Sequence, residues 1–83
     1  MAFQGGGIIT VDLHGFQEET AKRALDSALR KAGSGVYRIR VIHGYHGGTV
    51  LKKLVLSYKN HPKVLRIVPG NSNGDTFLVL REL

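Results

Sequence analysis

Residues 9–15 read Ile9-Thr10-Val11-Asp12-Leu13-His14-Gly15, and this run decides the fold. Its apolar residues alternate with polar ones, which predicts a half-buried strand from Ile8 to His14. Gly15 ends that strand. The same alternation places Asp12 and His14 together on the polar face of the strand.

A second predicted strand, Val36 to Ile42, also runs into a His-Gly pair. The stretch Val41-Ile42-His43-Gly44 continues into Tyr45-His46-Gly47-Gly48-Thr49, where a helix should begin. Open α/β sheets gather functional residues at the carboxyl ends of their strands. We therefore expect the two His-Gly pairs to meet at one edge of the sheet.

The remaining pattern predicts helices over residues 17–32 and 49–59 and strands over 64–68 and 76–81, joined by a turn-rich loop at 69–75. The buried helical stripes are expected to be Ala21, Leu25, Ala28, Leu29 and Ala32 in the first helix, and Val50, Leu51, Leu54, Val55 and Tyr58 in the second. The order is β-α-β-α-β-β, an α/β two-layer sandwich with a four-stranded mixed sheet. Two right-handed crossovers between neighbouring strands would put both helices on one face.

The composition fits one small domain, residues 8–83, preceded by a flexible leader or by residues added for expression at 1–7. The chain has 83 residues and no cysteine. No signal peptide or apolar run of membrane-spanning length is visible, so we expect no membrane partner. Absence of cysteine is more typical of cytoplasmic proteins, and the isolated domain is expected to be a monomer.

The uncovered face of the sheet would carry Arg38 and Arg40 from the second strand and Arg66 from the third, around Asp12 and His14. The net charge is +6 and the sequence pI about 10.1. Such a surface favours a polyanion, DNA or RNA, because each neutralised phosphate releases counterions. The alternative is a soluble protein that is merely basic.

Asp12 lies close enough to orient the imidazole of His14 and to stabilise its protonated form. That pairing suits a general acid or base in phosphodiester cleavage. In the alternative, Asp12 only caps a turn and His14 bonds to nearby backbone.

The glycine-rich turn after His43 would hold a phosphate, because glycines let the backbone approach a ligand and helix N-termini attract anions. It is not a nucleotide P-loop, since the lysine-hydroxyl pair is missing. The residues expected to bind phosphate or nucleic acid are Gly44, Tyr45, His46, Gly47, Gly48, Thr49, Arg38, Arg40, Lys52, Lys53 and Arg66. This set identifies no certain cofactor, and cleavage either assisted by Mg²⁺ or Mn²⁺ or independent of metal stays open.

Two motifs resemble a known family. Val11-Asp12-Leu13-His14-Gly15 is similar to the Leu-Asp-Leu-His-Gly signature of the Smr (small MutS-related) domain. His43-Gly44 with Gly47-Gly48 looks like its second signature, His-Gly-x-Gly, although His46 stands at the second glycine. The segment 74–80 is similar to the family's closing glycine-then-strand segment.

The resemblance implies a fold like the C-terminal domain of translation initiation factor three, and nucleic-acid binding, often with endonuclease activity on DNA or on messenger RNA at stalled ribosomes. It links cleavage to Asp12 and His14. The second signature contributes to the same site, so we expect His43 and the glycine turn after it to hold the scissile phosphate. The expected function is therefore an endonuclease. The alternatives are a non-catalytic DNA- or RNA-binding module of a larger MutS-related or ribosome-associated protein, and a purely protein-binding domain.

Overall fold

The computed structural model describes residues 2–4, 7–44, 49–70, 72 and 74–82. The elements in chain order are β1 (Ala2–Gln4), β2 (Ile8–Asp12), α1 (Glu18–Lys31), β3 (Arg38–Ile42), α2 (Thr49–Ser57), β4 (Arg66–Pro69) and β5 (Asp75–Val79). A 3-10 turn, Tyr58–Asn60, extends α2. No helix in the described part of the chain is long and apolar enough to cross a membrane.

The strands form one mixed sheet in the order β1-β2-β3-β5-β4. β2 and β3 are parallel and the other neighbours are antiparallel. The predicted mixed sheet with two helices is confirmed. The sequence prediction missed β1: residues 1–7 were expected outside the fold, yet Ala2–Gln4 pair with β2. Three residues are too few for alternation of apolar and polar side chains to predict a strand. Ala2–Gln4 form one by pairing with the edge of β2.

The second crossover differs from the prediction, because β5 lies between β3 and β4. The chain therefore leaves β3, passes through α2 and enters β4 two positions away in the sheet. The β4–β5 hairpin then places β5 in the position between β3 and β4. The burial of the two strands agrees with this order. Four of the five β5 residues are buried, as in a central strand, whereas no residue of β4 is fully buried, as at an edge.

Both helices pack against one face of the sheet and form one apolar core. That core contains Ile9, Val11 and Leu13 beside β3 residues Ile39 and Val41, β5 residue Leu78, α1 residues Ala21, Leu25, Ala28 and Leu29, and α2 residues Leu51 and Val55. Val50 does not belong to the buried stripe as predicted, since it is 53% exposed. Leu51, Val55 and Tyr58 recur at helical spacing, and Val50 points about 100° away from Leu51.

Glycines follow the two parallel strands at the same edge of the sheet. Gly15 has φ +81° and Gly44 has φ +87°, the left-handed region that only glycine enters readily. The backbone N–H groups of His43 and Gly44 donate to the carbonyl of Gly74 at 2.9 and 3.0 Å. These bonds join the second His-Gly pair to the loop before β5, and a bond from the N–H of Leu13 to the carbonyl of Ile42 at 2.7 Å keeps the end of β2 beside it.

Candidate active site

A cavity of about 650 Å³ opens at this edge of the sheet. The predicted meeting of the two His-Gly pairs is therefore present in the structure. The lining residues come from the ends of β2 and β3, from α2 and from the loop before β5: His14, Gly15, Phe16, Arg40, Ile42, His43, Gly44, Leu51, Ser72, Gly74 and Asp75.

Asp12 and His14 form a direct pair beside the cavity. Oδ1 of Asp12 accepts two hydrogen bonds from His14, one from Nδ1 at 2.9 Å and one from the backbone N–H at 3.1 Å. Their side chains are 53% and 73% exposed. The side-chain bond from His14, aided by the backbone bond, holds the pKa of Asp12 below its usual value. Asp12 is therefore a carboxylate at neutral pH.

An ionised carboxylate only accepts hydrogen bonds, so Nδ1 of His14 carries the proton in this contact. In the neutral ring, Nε2 then holds the lone pair. The arrangement can take a proton at Nε2 and stabilise the resulting imidazolium through Asp12. The alternative, in which Asp12 caps the turn, is also present in part, because Asp12 accepts a hydrogen bond from the backbone N–H of His14 as well as from its ring.

His43 lies inside the protein, although it lines the floor of the same cavity. Only 2% of it is exposed. Its Nε2 is 2.9 Å from the hydroxyl of Thr76, and its Nδ1 is 3.2 Å from the carbonyl of Gly44. The sequence suggested that His43 holds the scissile phosphate, whereas these contacts bind it to β5 and to the turn that follows β3.

The cavity is also lined by a buried carboxylate that sequence reasoning did not select. Asp75 accepts from Nε of Arg40 at 2.9 Å and from the backbone N–H and hydroxyl of Ser72 at 3.0 and 2.9 Å. Burial raises its pKa, but the bonds from Arg40 and Ser72 outweigh burial, so the pKa stays below its usual value. Asp75 looked like a turn residue in the sequence, and only the pairing of β3 with β5 brings it to Arg40.

The three arginines predicted on the uncovered face occupy different environments. Arg40, 41% exposed, borders the cavity. Arg38 lies over the rings of Tyr37 and Phe77, with centroid distances of 5.8 and 5.5 Å. Arg66 pairs with an exposed carboxylate, Glu82, at 2.9 Å. Arg40 is the one of these three that lines the cavity.

The other predicted binding residues lie around α2. Lys52 and Lys53 are exposed on the helix layer, and Lys52 lines a smaller cavity that also contacts Ser72 and Asp75. Thr49 is the first residue of α2. Residues 45–48 (Tyr45, His46, Gly47 and Gly48) lie outside the described residues, so their predicted contacts with phosphate stay predictions.

The described side chains do not supply a complete divalent-metal site. No group of three or more His, Cys, Asp or Glu residues converges among them. Oδ1 of Asp12 is engaged by His14, and both carboxylate oxygens of Asp75 are engaged by Arg40 and Ser72. Mg²⁺ needs several oxygen ligands, so these residues do not fit a protein-only Mg²⁺ or Mn²⁺ site.

Comparison with known proteins identifies the family and the fold. A family model described as the Smr domain matches residues 11–80. The crystal structure of the Smr domain of Thermus thermophilus MutS2 superimposes with a TM-score of 0.75 at 24% identity, covering 89% of this chain and 99% of that one. A search of curated proteins gave no match.

Proposed function

Because this chain belongs to the Smr domain family, whose fold is nuclease-related and binds nucleic acid, we propose that it is an endonuclease acting on phosphodiester bonds of DNA or RNA. The observation that carries the proposal is the exposed Asp12–His14 pair at the rim of the cavity. A catalytic imidazole needs an orienting partner on one nitrogen and an accessible second nitrogen. His14 has that arrangement.

In the proposed reaction, Nε2 of His14 takes a proton from the attacking water while the water oxygen bonds to phosphorus. The bond from phosphorus to the leaving oxygen breaks, and that oxygen is protonated from solvent or from the imidazolium. Asp12 stabilises the imidazolium through the bond at Nδ1. Arg40, held in place by Asp75, offers positive charge to the phosphate oxygens beside His14.

A non-catalytic DNA- or RNA-binding module of a larger protein is the second candidate. The observation that favours it is the burial of His43, which leaves one exposed imidazole in the described part of the site. Acid–base cleavage is faster when one group removes a proton and another supplies one. A module that only binds needs neither group.

A cleavage assay on matched DNA and RNA, with and without Mg²⁺ or Mn²⁺, separates the two candidates. His14→Ala should lower the cleavage rate by about 10²- to 10⁴-fold and leave affinity within a few-fold, because a proton-transfer group contributes little to ground-state binding. The matched control is His61→Ala. His61 stacks on Tyr58 beyond the end of α2, so its removal should leave cleavage unchanged.

Two results would overturn the nuclease proposal. The first is a wild-type protein that binds both substrates and leaves them intact under every condition. The second is cleavage that persists at the wild-type rate in His14→Ala. With the first result, the binding-module candidate stands.

A further inference from the structure

The cavity beside His14 has an apolar side that binding of phosphate alone does not require. Phe16, Ile42 and Leu51 all line it. Phe16 keeps 42% of its surface exposed, although its backbone is fixed by a hydrogen bond from its N–H to the carbonyl of Leu13 at 2.9 Å. An aromatic ring held on an ordered backbone and left open to solvent is a surface for stacking.

Polar groups line the same cavity as these apolar side chains. The guanidinium of Arg40 is fixed at Nε by Asp75, whose side chain is 2% exposed. The Ser72 backbone and hydroxyl hold the other oxygen of Asp75. Cavities that bind small planar ligands combine mostly apolar lining with a few fixed polar groups, and 650 Å³ lies in the usual range for them.

We propose that this cavity receives one unpaired nucleobase of the bound strand, with the ring of Phe16 stacked on the base. The inference rests on the proposed function, because the base would belong to the nucleotide whose phosphate lies at His14. A base inside a duplex is stacked on both faces and paired along one edge, so it cannot enter a concave site without being flipped out. The substrate class is therefore single-stranded or locally unpaired nucleic acid, with continuous duplex disfavoured.

The test measures binding of a single-stranded hexanucleotide, in DNA and RNA form, against an abasic hexamer that carries the same phosphates and sugars. All measurements use the full chain in a His14→Ala background, so that the ligand stays intact. Phe16→Leu keeps apolar bulk but removes the ring, and should lower affinity for the base-bearing hexamer by roughly 5- to 100-fold. Its effect on the abasic hexamer should be less than about two-fold, because that ligand has no base to stack.

Two further variants make the result specific. Phe16→Tyr keeps the aromatic face, so its affinity for the base-bearing hexamer should equal that of the protein with Phe16. Leu65→Ala removes an apolar side chain that is 59% exposed and does not line this cavity, and should leave both affinities unchanged. Thermal melting of each variant confirms that the fold is retained.

Equal effects of Phe16→Leu on the two hexamers, or no effect on either, would overturn the inference. A fully paired duplex that binds as tightly as the single strand and depends equally on Phe16 would overturn it as well. Binding is measured separately from cleavage. A base-dependent loss in Phe16→Leu thus supports the nucleobase site even if the wild-type protein cuts nothing.

Discussion

The buried hydrogen bond between His43 and Thr76 gives a quantitative prediction about the role of His43. Nδ1 of His43 faces the carbonyl of Gly44 and must donate to it, so Nε2 of the neutral ring accepts from the Thr76 hydroxyl at 2.9 Å. Thr76→Val keeps the shape of the side chain and removes this donor. Because His43 is 2% exposed, water cannot replace the bond. Leaving a buried acceptor unsatisfied costs about 1–3 kcal/mol of unfolding free energy.

Urea and thermal unfolding measure that loss directly. In a domain of this size each kcal/mol lowers Tm by roughly 4–8 °C. Thr10→Val is the matched control, since Thr10 is half-buried on the opposite face of the sheet, and its effect should stay within about 0.5 kcal/mol. The double variant Thr76→Val with His43→Leu should lose less than the sum of the two single changes, because both polar partners are then gone. A Thr76→Val protein as stable as Thr10→Val, or strict additivity in the double variant, would refute a structural role for His43.

Three further outcomes follow from other contacts. Asp75→Asn keeps the size of the side chain but removes the charge that holds Nε of Arg40. The unfolding free energy should fall by about 1–2 kcal/mol. A larger loss is not expected, because Arg40 is partly exposed and solvent weakens the ion pair. Lys63→Met removes the Nζ that donates to the carbonyl of Leu29 at 2.7 Å near the carboxyl end of α1, and urea unfolding should show a loss of about 0.5–1 kcal/mol. In acid, three carboxyls have folded-state pKa values below the usual 3.8, so their contribution to stability is present above that pH and lost as the pH falls through the lower folded values. The three carboxyls are Asp12, Asp26 and Asp75. The urea concentration at the unfolding midpoint should therefore fall steadily as the pH drops below about 4. In Asp75→Asn this midpoint should fall less steeply with pH, because one of the three carboxyls is gone.

The sequence predicted those parts of the fold that depend on the local periodicity of apolar residues. Alternation between residues 8 and 14 gave β2 and its polar face, and the three-to-four residue spacing of Ala21, Leu25, Ala28 and Leu29 gave the buried side of α1. The positions of the two His-Gly pairs predicted the edge of the sheet at which the cavity lies. Strand spacing also predicted that Asp12 and His14 lie on the same face. In the structure β2 ends at Asp12 and His14 lies in the following turn, where its backbone N–H and its ring both donate to Asp12.

The parts that sequence missed depend on which strands become neighbours. Asp75 meets Arg40 only because β5 pairs with β3, and the periodicity of two short strands does not state their order in a sheet. The same pairing leaves Arg66 on the edge strand, away from the cavity. β1 went unseen for a related reason, because its three residues depend on the edge of β2 for their backbone partners.

The contrast between the two histidines comes from a shift of one residue in the parallel register. Asp12 pairs with Ile42, so the next positions along the strands place Leu13 beside His43 and His14 beside Gly44. Leu13 and His43 are both buried, and a side chain on Gly44 would lie 3.4 Å from Cβ of His14. Successive strand residues face opposite sides, so an offset of one residue between two similar motifs sends their histidines to opposite faces. The His-Gly pair after β2 therefore presents an exposed imidazole to the cavity, while the pair after β3 uses its imidazole to hold the turn and leaves its glycine as the residue next to His14.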